Sequence, residues 1–170
     1  MKSRLQTELK QRKPFASLEA EAMLNLVRTV EVLTRDLGAL LEAHGLTHAQ
    51  YNVLRILRGA GKEGIPCTEI SGRMVRHDPD ITRLLDRMEK AGLATRMRSA
   101  SDRRVVLASL TSEGLALTNR LDAPVEAAHR RHFCGVSRER LRALIEDLER
   151  VREKVSSGRR RRLRLTRTEE

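Results

Sequence analysis

Apolar residues recur at three- and four-residue steps along most of this chain, which is the spacing of one face of an α-helix. Residues 17–43 and 47–58 carry two such runs, and each run opens with a hydroxyl residue, Ser17 or Thr47. A hydroxyl oxygen at that position accepts hydrogen bonds from the unpaired amides of the first helical turn. The pattern therefore predicts two capped helices, followed by a glycine-rich turn and a short helix over residues 67–74.

A stronger helix signal lies between Asp78 and Gly92. Asp78 suits the N-cap, Pro79 suits the first helical position, and Gly92 suits a left-handed C-cap. The apolar stripe between them follows the i, i+3, i+4, i+7 spacing and comprises Ile81, Leu84, Leu85 and Met88. The opposite face is polar and comprises Thr82, Arg83, Asp86, Arg87 and Lys90. Together with the short helix before it, this segment predicts a helix-turn-helix.

Two strand-like segments follow directly, at residues 94–99 and 105–110, and both are rich in apolar or β-branched residues. The polar turn between them places Asp102, Arg103 and Arg104 at the tip of the expected hairpin. Arginine suits the narrow minor groove of DNA, and a carboxylate orients a neighbouring guanidinium. A recognition helix followed by such a wing predicts a protein that binds duplex DNA. The alternative is an ordinary hairpin turn with a surface ion pair.

Helical spacing returns after the wing. Thr111 suits the N-cap of a helix that reaches towards His132, Gly135 suits a break, and Ser137 suits the N-cap of a last helix to about Val155. The helices at the two ends of the chain carry apolar stripes that must be buried somewhere. We therefore expect a homodimer in which these end helices pair. The alternative is a monomer in which they cover the winged helix.

Composition favours a helical, aliphatic core. The chain has 170 residues, of which 39% are apolar and only 2% are aromatic, with no tryptophan. So few aromatic side chains argue against a protein that binds single-stranded nucleic acid by stacking bases.

The charge of the chain is unevenly distributed. The net charge is +11, of which residues 1–14 contribute +4 and residues 150–170 contribute +6. Residues 73–104 hold nine basic and five acidic residues, a local excess of +4 around the predicted recognition helix and wing. A local positive surface is typical of a protein that reads DNA. A non-specific nucleoid-type DNA-binding protein, held by its basic ends, is the alternative function.

Several other classes of protein lack support in the sequence. The first residues show no apolar region of a secretory signal, and no segment reaches the ~20 apolar residues of a membrane span. Two distant cysteines fit a reducing compartment. No phosphate-binding loop, nucleophile elbow or clustered acid–base set is present. We expect a cytoplasmic protein that is not an enzyme, needs no cofactor and binds no membrane.

Three segments together resemble the MarR family (multiple antibiotic resistance regulators). Residues 102–111, DRRVVLASLT, are similar to the family's D-x-R-x-x-x-V-x-L-T wing signature, with Ala108 where valine is usual. Residues 46–54 resemble the opening of the family's second helix, and residues 81–93 resemble its recognition helix and the turn that follows. The resemblance extends over about residues 17–155.

The resemblance implies a mainly α fold with a small β-wing, in which dimerisation helices flank a winged helix-turn-helix domain. We expect five segments: a flexible basic N-terminal arm (1–16), an N-terminal dimerisation helix (17–45), the DNA-binding domain (46–111), C-terminal dimerisation helices (112–155) and a disordered basic tail (156–170).

The resemblance also implies a function. Members form homodimers on pseudo-palindromic double-stranded operators. Most repress transcription, and many are released by small ligands or oxidants. The matched positions make Arg104 the minor-groove arginine and Asp102 its orienter, with Arg103 beside them at the wing tip. The exposed recognition-helix residues Thr82, Arg83 and Arg87 would face the major groove or its phosphates.

The effector, and whether one exists, stays open. Cys67 lies at a predicted helix start, where the helix dipole would lower the pKa of the thiol, so a redox-responsive regulator is an alternative. A cysteine that only packs is the simpler interpretation. Two groups of potential metal ligands also occur: His44 with His48, and His129 with His132 and Cys134. Neither group has an evident carboxylate partner set, so we expect helix-surface histidines and no metal site.

Overall fold

The computed structural model describes residues 3–76 and 80–166, with side chains described as far as residue 157. The chain divides into two compact units, Met1–His129 and Arg130–Glu170. Its elements in chain order are α1 (Arg4–Glu8), α2 (Leu18–Glu42), α3 (His48–Ala60), β1 (Ile65–Pro66), α4 (Cys67–Arg73), α5 (Ile81–Lys90), β2 (Ala94–Arg98), β3 (Val106–Leu110), α6 (Ser112–His132) and α7 (Arg138–Thr166). The predicted fold class, mainly α with a small β-wing, is confirmed.

Hydroxyl caps set the starts of the predicted helices. The Ser17 hydroxyl accepts a hydrogen bond from the Ala20 amide at 3.1 Å and opens α2. Thr47 and Gln50 form a reciprocal capping box at the start of α3, in which each side chain bonds the other residue's backbone amide. The capping box thereby satisfies two backbone amides that have no partner within the helix. The N-caps predicted at these two positions are confirmed.

One apolar core occupies the first unit. It is built from the inward faces of α3, α4 and α5, the inner end of α2, the sheet, and the middle of α6. Its most deeply buried members are Leu41, Val53, Leu54, Leu57, Ile70, Leu84, Leu85, Met88, Ala108 and Leu121. The apolar stripes predicted for α3 and α5 are therefore core faces. Their fully buried members are Val53, Leu54, Leu57, Leu84, Leu85 and Met88, and Ile81 packs against them partly buried.

The sheet has three antiparallel strands in the order β1-β3-β2. Sequence reasoning predicted β2 and β3 but not β1, which is only two residues long and pairs Ile65 with Ala108. Gly64 permits this pairing because its φ is +73° and a Cβ there would lie 2.6 Å from the Ala108 carbonyl oxygen. A side chain at residue 64 would push β1 away from the wing.

Thr111 joins the wing to the next helix and to the end of α5. Its hydroxyl donates to the Gly92 carbonyl at 2.6 Å and accepts from the Gly114 amide at 3.0 Å. The Thr111 amide also donates to the Leu93 carbonyl. One residue therefore closes β3, caps α6 as predicted and fixes the turn after α5.

The start of α5 differs from the predicted one. Asp78 and Pro79 lie outside the described residues. The N-cap is Asp80, whose carboxylate accepts from the Arg83 amide at 3.1 Å, and the helix begins at Ile81. The predicted end is confirmed, because Gly92 has a φ of +69° directly after the C-cap.

Two terminal segments were predicted to lack structure, and both predictions are wrong for part of their length. Residues 4–8 form α1, with Leu5 buried and Ser3 as its N-cap. The Gln6 side-chain amide also donates to the Lys13 carbonyl, which folds the arm back on itself. This helix is too short to show a periodic pattern.

At the other end, α7 continues through residues 156–158 to Thr166 instead of ending before them. The serines and the glycine there cost only about 0.5–1 kcal/mol each in a helix, and the arginines after them are good helix formers. The helix dipole also favours positive charge in the last turns of a helix. Residues 167–170 lie outside the described residues.

Apolar side chains remain exposed on the end helices. On α2 they include Met23 at 60% and Val27 at 59% exposure, although Leu41 at the same helix's inner end is fully buried. In the second unit, Ile145 and Val151 of α7 are about half exposed. Such uncovered stripes on amphipathic helices are typical of surfaces that bury themselves against another chain.

Candidate nucleic-acid interface

Helix α5 presents a polar face to solvent while Leu84, Leu85 and Met88 anchor its other side in the core. Thr82, Arg83 and Arg87 are all exposed on this face. Arg83 and Arg87 are one turn apart, so their side chains project from neighbouring points of the helix surface.

The N-cap of α5 also orients one of these arginines. The Arg83 Nε atom lies 3.2 Å from the Asp80 carboxylate, while 83% of the Arg83 side chain stays accessible. Asp80 thus accepts a hydrogen bond from the Arg83 amide and forms an ion pair with its guanidinium. The guanidinium keeps donors available for an outside acceptor.

The wing tip holds an exposed arginine beside a carboxylate. Asp102 accepts from the Arg104 backbone amide at 2.9 Å, from its Nε at 3.2 Å and from its Nη2 at 3.3 Å. The Arg104 side chain is 92% accessible. Hydrogen bonds from the Arg104 side chain, and then from its amide, lower the pKa of Asp102. The carboxylate is therefore ionised at neutral pH and aligns the guanidinium, as charge-assisted pairs do.

Arg103 is exposed next to Arg104, and Arg98 is exposed on β2. Sequence reasoning selected Arg103 and missed Arg98. Alternation along a strand places Arg98 on the same face as the inward-facing Ala94 and Arg96, which argues for burial. Arg98 is nevertheless exposed, because the core does not cover this face at the end of the strand. The wing therefore carries one more positive charge at its surface than the turn alone supplies.

A second arginine of β2 has a different environment. Arg96 donates to the Glu89 carboxylate through its backbone amide at 2.8 Å and through its Nε at 2.9 Å. Its Nη2 contacts both Glu89 and Asp86. Hydrogen bonding to Glu89 is the main reason that the pKa of Arg96 is raised. Asp86, which was assigned to the open polar face of α5, is therefore joined to the wing.

The loop before α5 is tied to α3. The Asn52 side-chain oxygen accepts from the Val75 amide at 2.8 Å, which holds the beginning of the segment that leads into the recognition helix. Sequence reasoning did not select Asn52. A polar residue in the run 47–58 was the only available signal, and it is equally compatible with a solvated helix face.

An ion pair also braces α3 against α6. Arg58 donates two parallel bonds to the Asp122 carboxylate, at 2.8 and 2.9 Å, and one to the Asn119 side chain at 3.0 Å. The bond from Arg58 lowers the pKa of Asp122. This bidentate geometry fixes the helix that carries Asn52 relative to the helix that follows the wing.

The expectation about Cys67 is wrong in its sign. Cys67 begins α4 as predicted, but burial raises the pKa of its thiol, and this outweighs the opposing effect of Arg96 nearby. Loss of hydration disfavours the thiolate of Cys67 more than the positive charge of Arg96 favours it. The environment thus makes this thiol less reactive than a free cysteine.

The two histidines of the α2–α3 region bond backbone carbonyls. His48 Nε2 lies 2.6 Å from the Thr34 oxygen, and His44 Nδ1 lies 3.0 Å from the Leu40 oxygen. Over residues 3–76 and 80–157, no three His, Cys, Asp or Glu side chains are placed to hold a metal ion. In the same part of the chain no helix is both long and apolar enough to cross a membrane.

Comparison with known proteins identifies a matching family and several similar proteins. Residues 46–106 match the model of the MarR family. The homoprotocatechuate degradative operon repressor of Escherichia coli is 33% identical over 110 residues, covering 65% of this chain and 73% of that protein.

Two crystal structures are also similar. A MarR transcription factor from Planctomyces limnophilus is 38% identical with a TM-score of 0.62, covering 79% of this chain and 98% of that chain. AbsC, a MarR family transcriptional regulator from Streptomyces coelicolor, is 26% identical with a TM-score of 0.74, covering 85% and 99%. The matched region contains both α5 and the wing tip.

Proposed function

This chain belongs to the MarR family of DNA-binding transcriptional regulators, and we propose from this premise that it is a cytoplasmic repressor that binds a pseudo-palindromic operator as a homodimer. In this proposal residues 46–111 read the DNA and the end helices form the dimer. Release by a small ligand of unknown identity is included on the family resemblance alone. Repression has support from the E. coli relative, which is itself named a repressor.

One observation carries the proposed DNA contact. Arg83 and Arg87 on α5 and Arg104 at the wing tip are all exposed, and carboxylates orient Arg83 and Arg104. A helix and a wing with this chemistry match the two grooves of duplex DNA: recognition-helix side chains reach base edges or phosphates in the major groove, and an arginine enters the narrow minor groove. Thr82, Asp102 and Arg103 complete the proposed contact surface.

The exposed apolar stripes support the proposed dimer. A two-fold dimer places two recognition helices about 34 Å apart, which is one turn of DNA and is the reason for a palindromic site. Each half-site would then be read by one protomer. Without pairing, α2 and α7 would leave large aliphatic surfaces in water.

The test starts by finding the operator. Genome-wide mapping of the bound sites gives the sequence, and affinity is then measured for this operator and for random duplex across a salt series. We expect the operator to bind at least 1,000-fold more tightly, the lower end of specific recognition. Equal affinity for both duplexes, with one steep salt slope, would support a nucleoid-type protein instead.

Substitutions then test the proposed contacts. If Arg83 or Arg87 reads a base edge, its replacement by alanine relaxes the preference at one symmetric operator position. If it binds only phosphate, operator and random duplex weaken alike and the salt slope falls by about one. Parental binding to both duplexes by both variants would remove this face of α5 from the interface.

A further inference from the structure

The acidic residues of α5 lie to one side of its basic residues. At about 100° per residue, Arg83, Arg87 and Lys90 fall within about 60° of one another, and Asp86 and then Glu89 form an acidic flank further round the helix, with Asp86 about 40° from Lys90. The acidic flank faces β2, where Arg96 contacts both carboxylates. The basic side is exposed. The recognition helix is thus attached to the wing through the very residues that would otherwise repel DNA phosphates.

Arg96 is well placed for this attachment. It lies on the same strand face as Ala94, which is in the core, and only 24% of its side chain is accessible. Its backbone amide and its guanidinium both donate to Glu89, so two separate groups of one residue bond one carboxylate. A planar guanidinium donates in fixed directions, and this geometry limits the rotation of β2 against α5.

We propose that Arg96 is a positioning residue: through Glu89 and Asp86 it holds the wing at the angle to α5 that lets Arg104 and the recognition helix engage one DNA site together. This inference rests on the proposed function. The β2–β3 hairpin extends beyond its last core residue, since Met97 is 66% exposed and Arg98 is also exposed. The Arg96 contacts are therefore side-chain restraints on the angle of the wing at its base.

A double-mutant cycle tests the coupling. Arg104→Ala and Arg96→Met are made singly and together, and operator affinity is measured at one salt concentration. If Arg96 acts by positioning Arg104, we expect each single change to weaken binding at least fivefold, and the second change to add less than twofold. Losses that multiply would mean that Arg96 acts independently of the wing tip, and would overturn the proposal.

Arg96→Lys separates geometry from charge. Lysine keeps the positive charge beside Asp86 and Glu89 but lacks the planar fork of the guanidinium. We therefore expect Arg96→Lys to restore less than half of the change in the logarithm of operator affinity that Arg96→Met causes. Full recovery would show that neutralising the two carboxylates is sufficient, and positioning would be rejected. If Arg96→Met fails to fold, Glu89→Gln takes its place in the cycle, because glutamine keeps the shape and loses the charge.

A measurement without DNA keeps this proposal distinct from the proposed function. Hydrogen exchange of the free protein should show faster exchange of the wing amides at residues 98–106 in Arg96→Met, with unchanged protection of α3. Unchanged wing exchange would overturn the positioning role even if the protein is a repressor. Faster wing exchange in a protein that shows no operator preference would reject the proposed function and leave the attachment itself in place.

Discussion

At the scale of single residues, two exposed arginines of the candidate interface, Arg104 and Arg83, each contact a carboxylate close by in the chain. Arg104 has three hydrogen bonds to Asp102 within its own turn, and Arg83 has one backbone hydrogen bond and one side-chain ion pair with Asp80. Both arginines are thus held by near neighbours in the chain, so their orientation requires little of the rest of the fold. Residues of this kind are accessible to sequence reasoning, since the partners lie two or three positions apart.

Replacing Arg104 tests the residue scale most directly. Arg104→Ala should weaken operator binding by roughly 1–3 kcal/mol without loss of the fold, because one groove-inserted arginine is removed from an exposed turn. Affinity at fixed salt measures the effect. Arg120→Ala is the matched control, since it removes an exposed arginine from α6. Equal affinities for the parent and Arg104→Ala would exclude Arg104 from the interface.

Asp102→Ala should give a smaller loss of the same kind. It leaves the Arg104 charge in place and removes the carboxylate that aligns it. A gain in affinity would instead indicate that the negative charge of Asp102 opposes DNA more than its orienting bonds help. Measurement against the same operator at the same salt concentration decides between these outcomes.

At the scale of elements, the junction between the wing and α6 depends on an absent side chain. A Cβ on Gly114 would lie 2.0 Å from the Leu93 carbonyl oxygen, which Thr111 also bonds. Backbone approaches backbone here, so no flexible side chain is available to move aside. The close approach holds the first turn of α6 against the turn that follows the recognition helix.

Gly114→Ala should therefore destabilise the protein by roughly 1–3 kcal/mol, as overpacked sites do. Thermal unfolding measures the effect. Gly59→Ala in α3 is the control, because no side chain or other segment beyond its own helical turn lies within 4 Å of its Cβ position, and alanine is favoured in a helix by roughly 0.5–1 kcal/mol. The two variants should shift the melting temperature in opposite directions. A shift of the same sign in both would contradict the close-contact argument.

The C-terminal part of α7 is densely basic. Five arginines lie at residues 159–164, and the helix reaches Thr166. Deleting residues 157–170 should reduce affinity for operator and random DNA by similar factors and flatten the salt dependence, because counterion release depends on charge and not on base sequence. A second variant with glutamine at these five positions keeps the length. It should match the deletion; a loss confined to the operator would mean that this element reads sequence.

For the whole molecule, pairing of the end helices is the main expectation. The intact chain should sediment as a dimer at micromolar concentration. Val27→Glu together with Val30→Glu places two charges on one exposed apolar face of α2 and should give monomer or aggregate, because a charge without a partner is costly to bury. Thr29→Glu, about 160° from Val27 and about 100° from Val30 around α2, is the control and should stay dimeric. A monomeric parent would contradict the proposed homodimer.

The sequence by itself determined the features that depend on neighbouring residues. Helical spacing, the caps at Ser17, Thr47 and Thr111, and the left-handed Gly92 all arise from interactions within a few positions, and each appears in the structure. The hairpin and its charged tip are equally local. These are the parts of the fold and of the candidate site that sequence reasoning predicted.

Only the tertiary structure decided the features that depend on contacts between separate elements. Arg96 meets Glu89 and Asp86, seven and ten positions away, only after the wing folds back on α5. In the same way, the pairing of β1 and the raised pKa of Cys67 follow from what surrounds them and not from their neighbours in sequence. Burial and contacts between elements produce these three features, and no local sequence pattern specifies them.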